Sequence, residues 1–140
     1  VFLPDLPLAE FEREYKQLFG QYDLSNIFLV TPQTSFDRIR QIDLLSDTFI
    51  YVVSSSSITG AKQGISEEQI TYLERIRDME LQHATLVGFG VSESETFSTI
   101  SRYASGSIVG SAFIKMLSES VDLRGDIVNF VKSIKQGTKA

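Results

Sequence analysis

The sequence contains no cysteine, no tryptophan and only one histidine, and these shortages remove several kinds of chemistry. Without cysteine the chain can form no disulfide, no thiolate metal site and no thiol nucleophile. Because His83 is the only histidine, neither a histidine-based triad nor a histidine metal cluster can be assembled within the chain. We therefore expect no metal site.

Positive charge and long apolar runs are also scarce. The formal net charge is -5, whereas nucleic-acid partners usually require a clustered basic face. No apolar stretch reaches the roughly 18 residues that could span a bilayer, and no secretory signal pattern is present. The sequence therefore predicts a cytoplasmic protein with neither a nucleic-acid nor a membrane partner.

The 140 residues, 42% of them hydrophobic, can build one compact core, so residues 1–140 are expected to form a single domain. The chain opens on Val1 rather than methionine and is apolar from its first residue. We therefore expect a segment upstream of Val1.

Short β-branched or aromatic runs alternate with longer segments of helical periodicity, which is typical of repeated βα units. Five strands are predicted, at residues 1–4, 26–30, 48–54, 84–88 and 106–110. Most are continuously apolar, as parallel strands buried on both faces should be. The expected fold class is therefore α/β with a parallel sheet.

Apolar residues at helical spacing predict the intervening helices. The stripes are Leu8, Phe11, Tyr15 and Leu18; Phe36, Ile39 and Ile42; Ile70, Leu73, Ile76 and Met79; and Phe97, Ile100 and Tyr103. Capping patterns predict helix starts at Thr34 with Asp37, Ser66 with Gln69, and Ser92 with Glu95. Two further helices are expected, one from Ser111 to about Glu119 and one over 126–135 with Ile127, Phe130, Val131 and Ile134 facing inward.

The connection 54–65 is long and rich in serine and glycine. Loops of this length inside compact α/β units are usually functional lids, although a flexible serine linker would have the same composition. Both readings stay open on loop length alone.

Glycine-rich turns follow three of the predicted strands, at 58–60, 88–92 and 110–112. In parallel α/β folds the ligand site lies at the carboxyl ends of the strands. Glycine there lets an anion approach the backbone, and the next helix start directs N–H groups toward it. The turns therefore predict a phosphate site without a cationic clamp, although each glycine alone also fits ordinary turn geometry.

Two polar residues outside these turns have different expected roles. His83 precedes a strand, so it should lie at the end opposite the site, as a solvated or capping residue. Asp5, between Pro4 and Pro7 at the first strand exit, fits a functional role and ordinary turn chemistry equally well.

Four segments in order, 3–7 (Leu-Pro-Asp-Leu-Pro), 54–61 ending Ile-Thr-Gly-Ala, 88–92 (Gly-Phe-Gly-Val-Ser) and 109–112 (Val-Gly-Ser-Ala), resemble tryptophan synthase α chains. The resemblance runs through essentially the whole chain. It implies strands four to eight of an eight-stranded (β/α) barrel of the TIM type, present here as an incomplete barrel of about five βα units. Ser55 and Ser57 depart from the arginine and glycine common in that family.

The resemblance implies retro-aldol cleavage of indole-3-glycerol phosphate to indole and glyceraldehyde 3-phosphate. The α chain would need no cofactor, and indole would pass to a β subunit carrying pyridoxal phosphate. The substrate phosphate would be bound by Gly60, Gly90, Gly110 and Ser111. Tyr51 and Phe89 would line the pocket, Thr59 would belong to its lid, and Pro4, Asp5 and Pro7 would lie near the β-subunit contact.

The family's catalytic glutamate and aspartate belong to the second unit, upstream of Val1, so no catalytic residue is expected within these 140 residues. An incomplete barrel leaves two sheet edges and an inner face open, which predicts self-association or an open compact layer. Two alternatives stay open from the residues: another phosphate-binding barrel, such as a sugar-phosphate isomerase or epimerase, and a non-catalytic five-stranded signalling module resembling a receiver domain.

Overall fold

The computed structural model describes residues 1–54 and 64–136. In chain order its elements are α1 (Leu8–Glu10), a π-helical segment (Phe11–Tyr15), α2 (Lys16–Gln21), β1 (Phe28–Val30), α3 (Phe36–Leu45), β2 (Phe49–Val52), α4 (Glu67–Arg77), β3 (Ala84–Val87), α5 (Ser94–Ile100), β4 (Gly106–Ser107), α6 (Ser111–Glu119) and α7 (Leu123–Lys135).

The four strands form one parallel sheet in the order β1-β2-β3-β4. Each strand pairs with the next one along the chain, which is the order of a (β/α) barrel and not of a doubly wound sheet, whose order reverses. The prediction of a parallel α/β fold built from βα units is therefore confirmed.

The two outer predicted strands are much shorter than expected. Residues 1–4 contribute only an isolated parallel bridge between Phe2 and Ile27, because the chain turns at Pro4, where Leu6 N donates to Leu3 O. The predicted strand 106–110 is regular only over Gly106–Ser107; one further hydrogen bond joins Ile108 N to Val87 O, and Gly110 already caps α6.

One face of the sheet forms the core. Alternate strand residues such as Val30, Val52 and Val87 are buried and belong to one apolar cluster with Ile39 of α3 and Leu73 of α4. Period-two alternation therefore places α3 and α4 on this face.

The other face is more open. Leu29, Tyr51 and Leu86 alternate with the core residues and stay only half-buried. In a closed barrel the corresponding positions are filled by layers of side chains from all strands. This inner face is where the fold leaves apolar surface accessible.

The first helical stretch differs from its predicted stripe at Leu18, which is 44% exposed, whereas Phe19 is buried. The π-helical turn between Phe11 and Tyr15 is the reason, because its wider hydrogen-bond spacing shifts the buried stripe by one residue. Phe19 consequently makes edge contacts with Phe11 and Tyr15, with ring centroids 5.7 Å and 6.4 Å apart.

One of the three predicted helix caps is confirmed. Ser66 and Gln69 form a reciprocal capping box at the start of α4. The cap of α3 is Ser35, not Thr34, because the Thr34 hydroxyl instead accepts a hydrogen bond from Thr31 N at 2.9 Å.

The predictions for α5 and α7 also need correction. The residue before α5 is Glu93, and no side chain caps this helix, so the predicted Ser92 cap is wrong. Helix α7 starts at Leu123, three residues before its predicted start, since the Asp126 carboxylate accepts from Val121 N and Asp122 N and orders the turn before it. Val131, predicted to face inward, is 45% exposed.

Candidate functional site at the carboxyl edge of the sheet

The glycine turns that follow β3 and β4 begin at the same level of the sheet edge. The final ladder pair joins Val87 of β3 to Ser107 of β4, and Gly90 and Gly110 each lie three residues beyond it. Ile108 N also donates to Val87 O at 2.8 Å, so the two chains remain adjacent as they leave the sheet. Neighbouring strands lie about 4.8 Å apart, and the two turns therefore open side by side.

Gly90 is needed for its backbone conformation. Its φ is +72°, in the left-handed region that side chains rarely adopt, although an added Cβ would meet only Ile65 at an ordinary 3.8 Å. The turn is tied to the core by Phe89, which is partly buried, and by Val91, which is buried. The turn therefore exposes its backbone at Gly90 with no side chain over it, and we call such a position a bare corner.

Gly110 begins α6 in an exposed position, and a Cβ added there would meet nothing within 4 Å. The first intrahelical hydrogen bond runs from Ile114 N to Gly110 O at 3.0 Å, and no side chain caps the helix. The amides of Ser111, Ala112 and Phe113 thus precede the helical ladder and carry the positive end of the helix dipole. This is the geometry of an anion site.

Tyr51 lies on the inner face of β2, beside these turns. Its ring makes an edge contact with Phe2, with centroids 5.5 Å apart. It also covers Gly88, where a Cβ would overlap the Tyr51 ring. The predicted pocket residue Tyr51 is therefore held on the open face at the end of β2.

Helix α4 contributes two contacts that sequence reasoning missed. The Tyr72 hydroxyl donates to Val30 O at 3.0 Å, and Arg75 Nη2 donates to Pro32 O at 3.1 Å. Burial raises the pKa of the Tyr72 hydroxyl, so it stays a donor at neutral pH. The only signal in the sequence was a tyrosine beside the apolar stripe, and a main-chain acceptor leaves no signal at all.

The Pro4-to-Pro7 turn is exposed, and Pro7 immediately precedes α1. Asp5 lies at the tip of this turn and is also exposed. Pro4, Asp5 and Pro7, the candidates for partner contact, therefore lie together in one exposed turn before α1.

The opposite edge holds a buried acidic residue. Asp43 of α3 is only 3% exposed, and its carboxylate accepts from Gln82 N at 2.9 Å and His83 N at 3.0 Å. Its Oδ1 lies 3.1 Å from His83 Nδ1. Burial alone would raise the pKa of Asp43, but these hydrogen bonds outweigh burial and hold it below its usual value. His83 therefore lies away from the glycine turns, as predicted, and serves the fold.

Gly60 and Thr59, together with Ser55 and Ser57, lie outside the described residues. Within 1–54 and 64–136 no group of three or more acidic or histidine side chains could hold a metal ion. The same ranges contain no helix long and apolar enough to cross a membrane.

A sequentially ordered parallel sheet with bare backbone corners at its carboxyl edge defines a partial (β/α) barrel, the class that places its ligand site at this edge. Comparison with known proteins narrows this class. The family described as tryptophan synthase alpha chain matches residues 1–139. The chain belongs to the tryptophan synthase alpha chain family.

Individual relatives agree with this assignment. The tryptophan synthase alpha chain of Flavobacterium johnsoniae is 50% identical over 135 residues, covering 96% of this chain and 53% of that protein. The corresponding chain of Christiangramia forsetii is 45% identical, covering 96% and 52%. A structure of the tryptophan synthase a2b2 complex of Pyrococcus furiosus matches with a TM-score of 0.78 and 28% identity, covering 95% of this chain and 54% of that one. The chain thus spans about half the length of its relatives.

Proposed function

We propose that these residues form the phosphate-binding part of a tryptophan synthase α subunit, which cleaves indole-3-glycerol phosphate to indole and glyceraldehyde 3-phosphate. The observation that carries this proposal is the pair of bare corners at Gly90 and Gly110, each three residues beyond one ladder pair. Ser111 adds the first amide of α6 to the same edge.

The energetics favour a phosphate dianion even in an acidic protein. A partly buried helix N-terminus stabilises an anion by up to about 2 kcal/mol, and each hydrogen bond to a charged group contributes about 1.5 to 3 kcal/mol. Two or three amides from the turns can therefore bind the phosphate without lysine or arginine.

Titration with glycerol phosphate tests the site. The amide signals of Gly90, Gly110 and Ser111 should shift together in an NMR spectrum of the protein at its natural length. Gly90→Ala should weaken binding about tenfold, because the free turn would relax out of the left-handed region and binding would have to restore that conformation at a cost of about 1 to 2 kcal/mol. Gly20→Ala, at a helical position with nothing within 4 Å, is the matched control and should bind normally. Unmoved signals at all three amides would contradict the site.

The cleavage step needs a base for a substrate hydroxyl and an acid for the indole ring, roles suited to carboxylates tuned by burial. The resemblance assigns them to a glutamate and an aspartate upstream of Val1. We therefore expect no turnover by the 140 residues alone and normal turnover when the upstream units are present. An assay of indole release compares the two, and measurable cleavage by the short chain would refute this division of roles.

In this proposal Tyr51 and Phe89 line the pocket, Gly60 is a further phosphate-binding residue and Thr59 belongs to the lid. The proposed partner is a β subunit that carries pyridoxal phosphate, while the α chain itself has no cofactor. The exposed corner at Pro4, Asp5 and Pro7 is accessible for this contact. A cytoplasmic location, expected from the sequence, belongs to the same proposal.

We also infer that the 140 residues, studied alone, self-associate. The half-buried inner face at Leu29, Tyr51 and Leu86 and the short outer strand β4 leave apolar surface and an unpaired edge among the described residues. Such edges recruit further strands. Sedimentation should therefore show species larger than a monomer, and a well-behaved monomer over a wide concentration range would argue against it.

A further inference from the structure

Tyr72 is fixed at the carboxyl end of β1. Its side chain is buried, and its hydroxyl donates to Val30 O at 3.0 Å. The same carbonyl accepts the ladder hydrogen bond from Val53 N at 2.9 Å. The Val30 carbonyl, the last in β1, therefore accepts two hydrogen bonds, and one of them comes from α4.

The ring of Tyr72 also contacts the glycine turn after β3. It stacks on Phe89, with centroids 6.5 Å apart and an angle of 21° between the planes. Phe89 lies between Gly88 and Gly90, and it is partly buried against the core. The orientation of the Phe89 ring is therefore coupled to a side chain that is hydrogen-bonded to a different strand.

Arg75, one helical turn further along α4, supports the same arrangement. Its guanidinium carbon lies 5.3 Å from the centroid of the Tyr72 ring and 5.4 Å from that of Phe36. Its Nη2 donates to Pro32 O at 3.1 Å, in the loop that follows β1. Helix α4 thus contacts the end of β1 and the loop after it through both side chains, and the turn after β3 through Tyr72.

We propose that Tyr72 is a positioning residue for the ligand site, which fixes Phe89 and with it the turn 88–90. This inference rests on the proposed function, since that turn is where the phosphate is expected to bind. A site whose backbone donors are held in place before binding loses less entropy on binding. Loosening the Phe89 ring should therefore weaken phosphate binding even where the fold survives.

The competing explanation is that Tyr72 only fills the core. In that case any change that destabilises α4 equally would have the same effect on the ligand. Leu73 provides the control, because it is buried in the same helix and belongs to the same apolar cluster but has no ring contact with Phe89. Tyr72→Phe keeps the stacking ring and removes only the hydroxyl.

The experiment measures glycerol phosphate affinity by calorimetry and amide signals by NMR, using the protein at its natural length. Tyr72→Leu should weaken binding roughly three- to tenfold, as expected for the loss of one aromatic pair. It should also shift the Gly90 amide signal without ligand. Tyr72→Phe should stay within about twofold of the wild type, and Leu73→Val should lower Tm with unchanged affinity.

Two results would overturn the inference: wild-type affinity in Tyr72→Leu, or equal weakening in Leu73→Val. Failure of the proposed function gives a different result, namely a wild-type protein that does not bind glycerol phosphate. In that case the ligand-free Gly90 signal still decides the role of Tyr72. An unshifted signal in Tyr72→Leu means that Tyr72 does not set the turn.

Discussion

Replacing Asp43 with alanine should lower the free energy of unfolding by about 3 kcal/mol at neutral pH. Asp43 is 3% exposed, and its carboxylate accepts from the amides of Gln82 and His83 and lies beside the His83 ring. Alanine would leave these donors without their acceptor in a partly buried place. Urea unfolding of the two proteins measures the difference.

The effect should depend on pH with a definite sign. The folded-state pKa of Asp43 is depressed, since the two amides and His83 outweigh burial, which acts in the opposite direction. A depressed carboxylate contributes stability that is complete above its unfolded pKa of about 4 and is lost as the pH falls through the folded pKa. The stabilities of wild type and variant should therefore converge in acid.

Asp37→Ala is the matched control because this residue is an exposed acid in the first turn of the same helix. Its loss should change stability by no more than about 1 kcal/mol. If Asp43→Ala behaved like Asp37→Ala, or if its effect did not shrink as the pH is lowered into acid, the carboxylate would not hold the loop before β3.

Local sequence signals predicted the elements that depend on local contacts. The apolar runs located the inner strands, and Ser111 was correctly placed at the start of α6. The Ser66 capping box was also correct, because both partners lie within one helical turn. The Thr34 cap failed, since two adjacent hydroxyl residues compete and the turn at Thr31 uses the first.

Features that depend on distant partners could not be read in this way. Asp43 follows Ile42 on the buried side of α3, which is a visible anomaly, but its acceptor role depends on amides 39 and 40 positions away. The candidate site likewise combines local features with a contact between distant residues. Glycine predicted the two corners, whereas the hydrogen bond from Tyr72 to a carbonyl of β1 follows only from the packing of α4.

The contact between Gly88 and Tyr51 leads to the second large expected effect. Gly88→Ala should destabilise the protein by about 1 to 3 kcal/mol, the usual range for an overfilled position. A Cβ at Gly88 would overlap several atoms of the Tyr51 ring. The ring also lies against Phe2, so making room for the Cβ would turn the ring out of that contact.

Removing the ring should reverse the effect. In a Tyr51→Ala background the overlap between the added methyl and the ring is gone, so the two substitutions should not be additive. The double-mutant cycle should give a coupling of about 1 to 3 kcal/mol, with the methyl group harmful only when the ring is present. Gly20→Ala, where a Cβ meets nothing within 4 Å, should be neutral or stabilising by up to about 1 kcal/mol. Additive effects at positions 88 and 51 would mean that Tyr51 does not occupy the space above Gly88. The inner face of β2 would then be arranged differently near the candidate site.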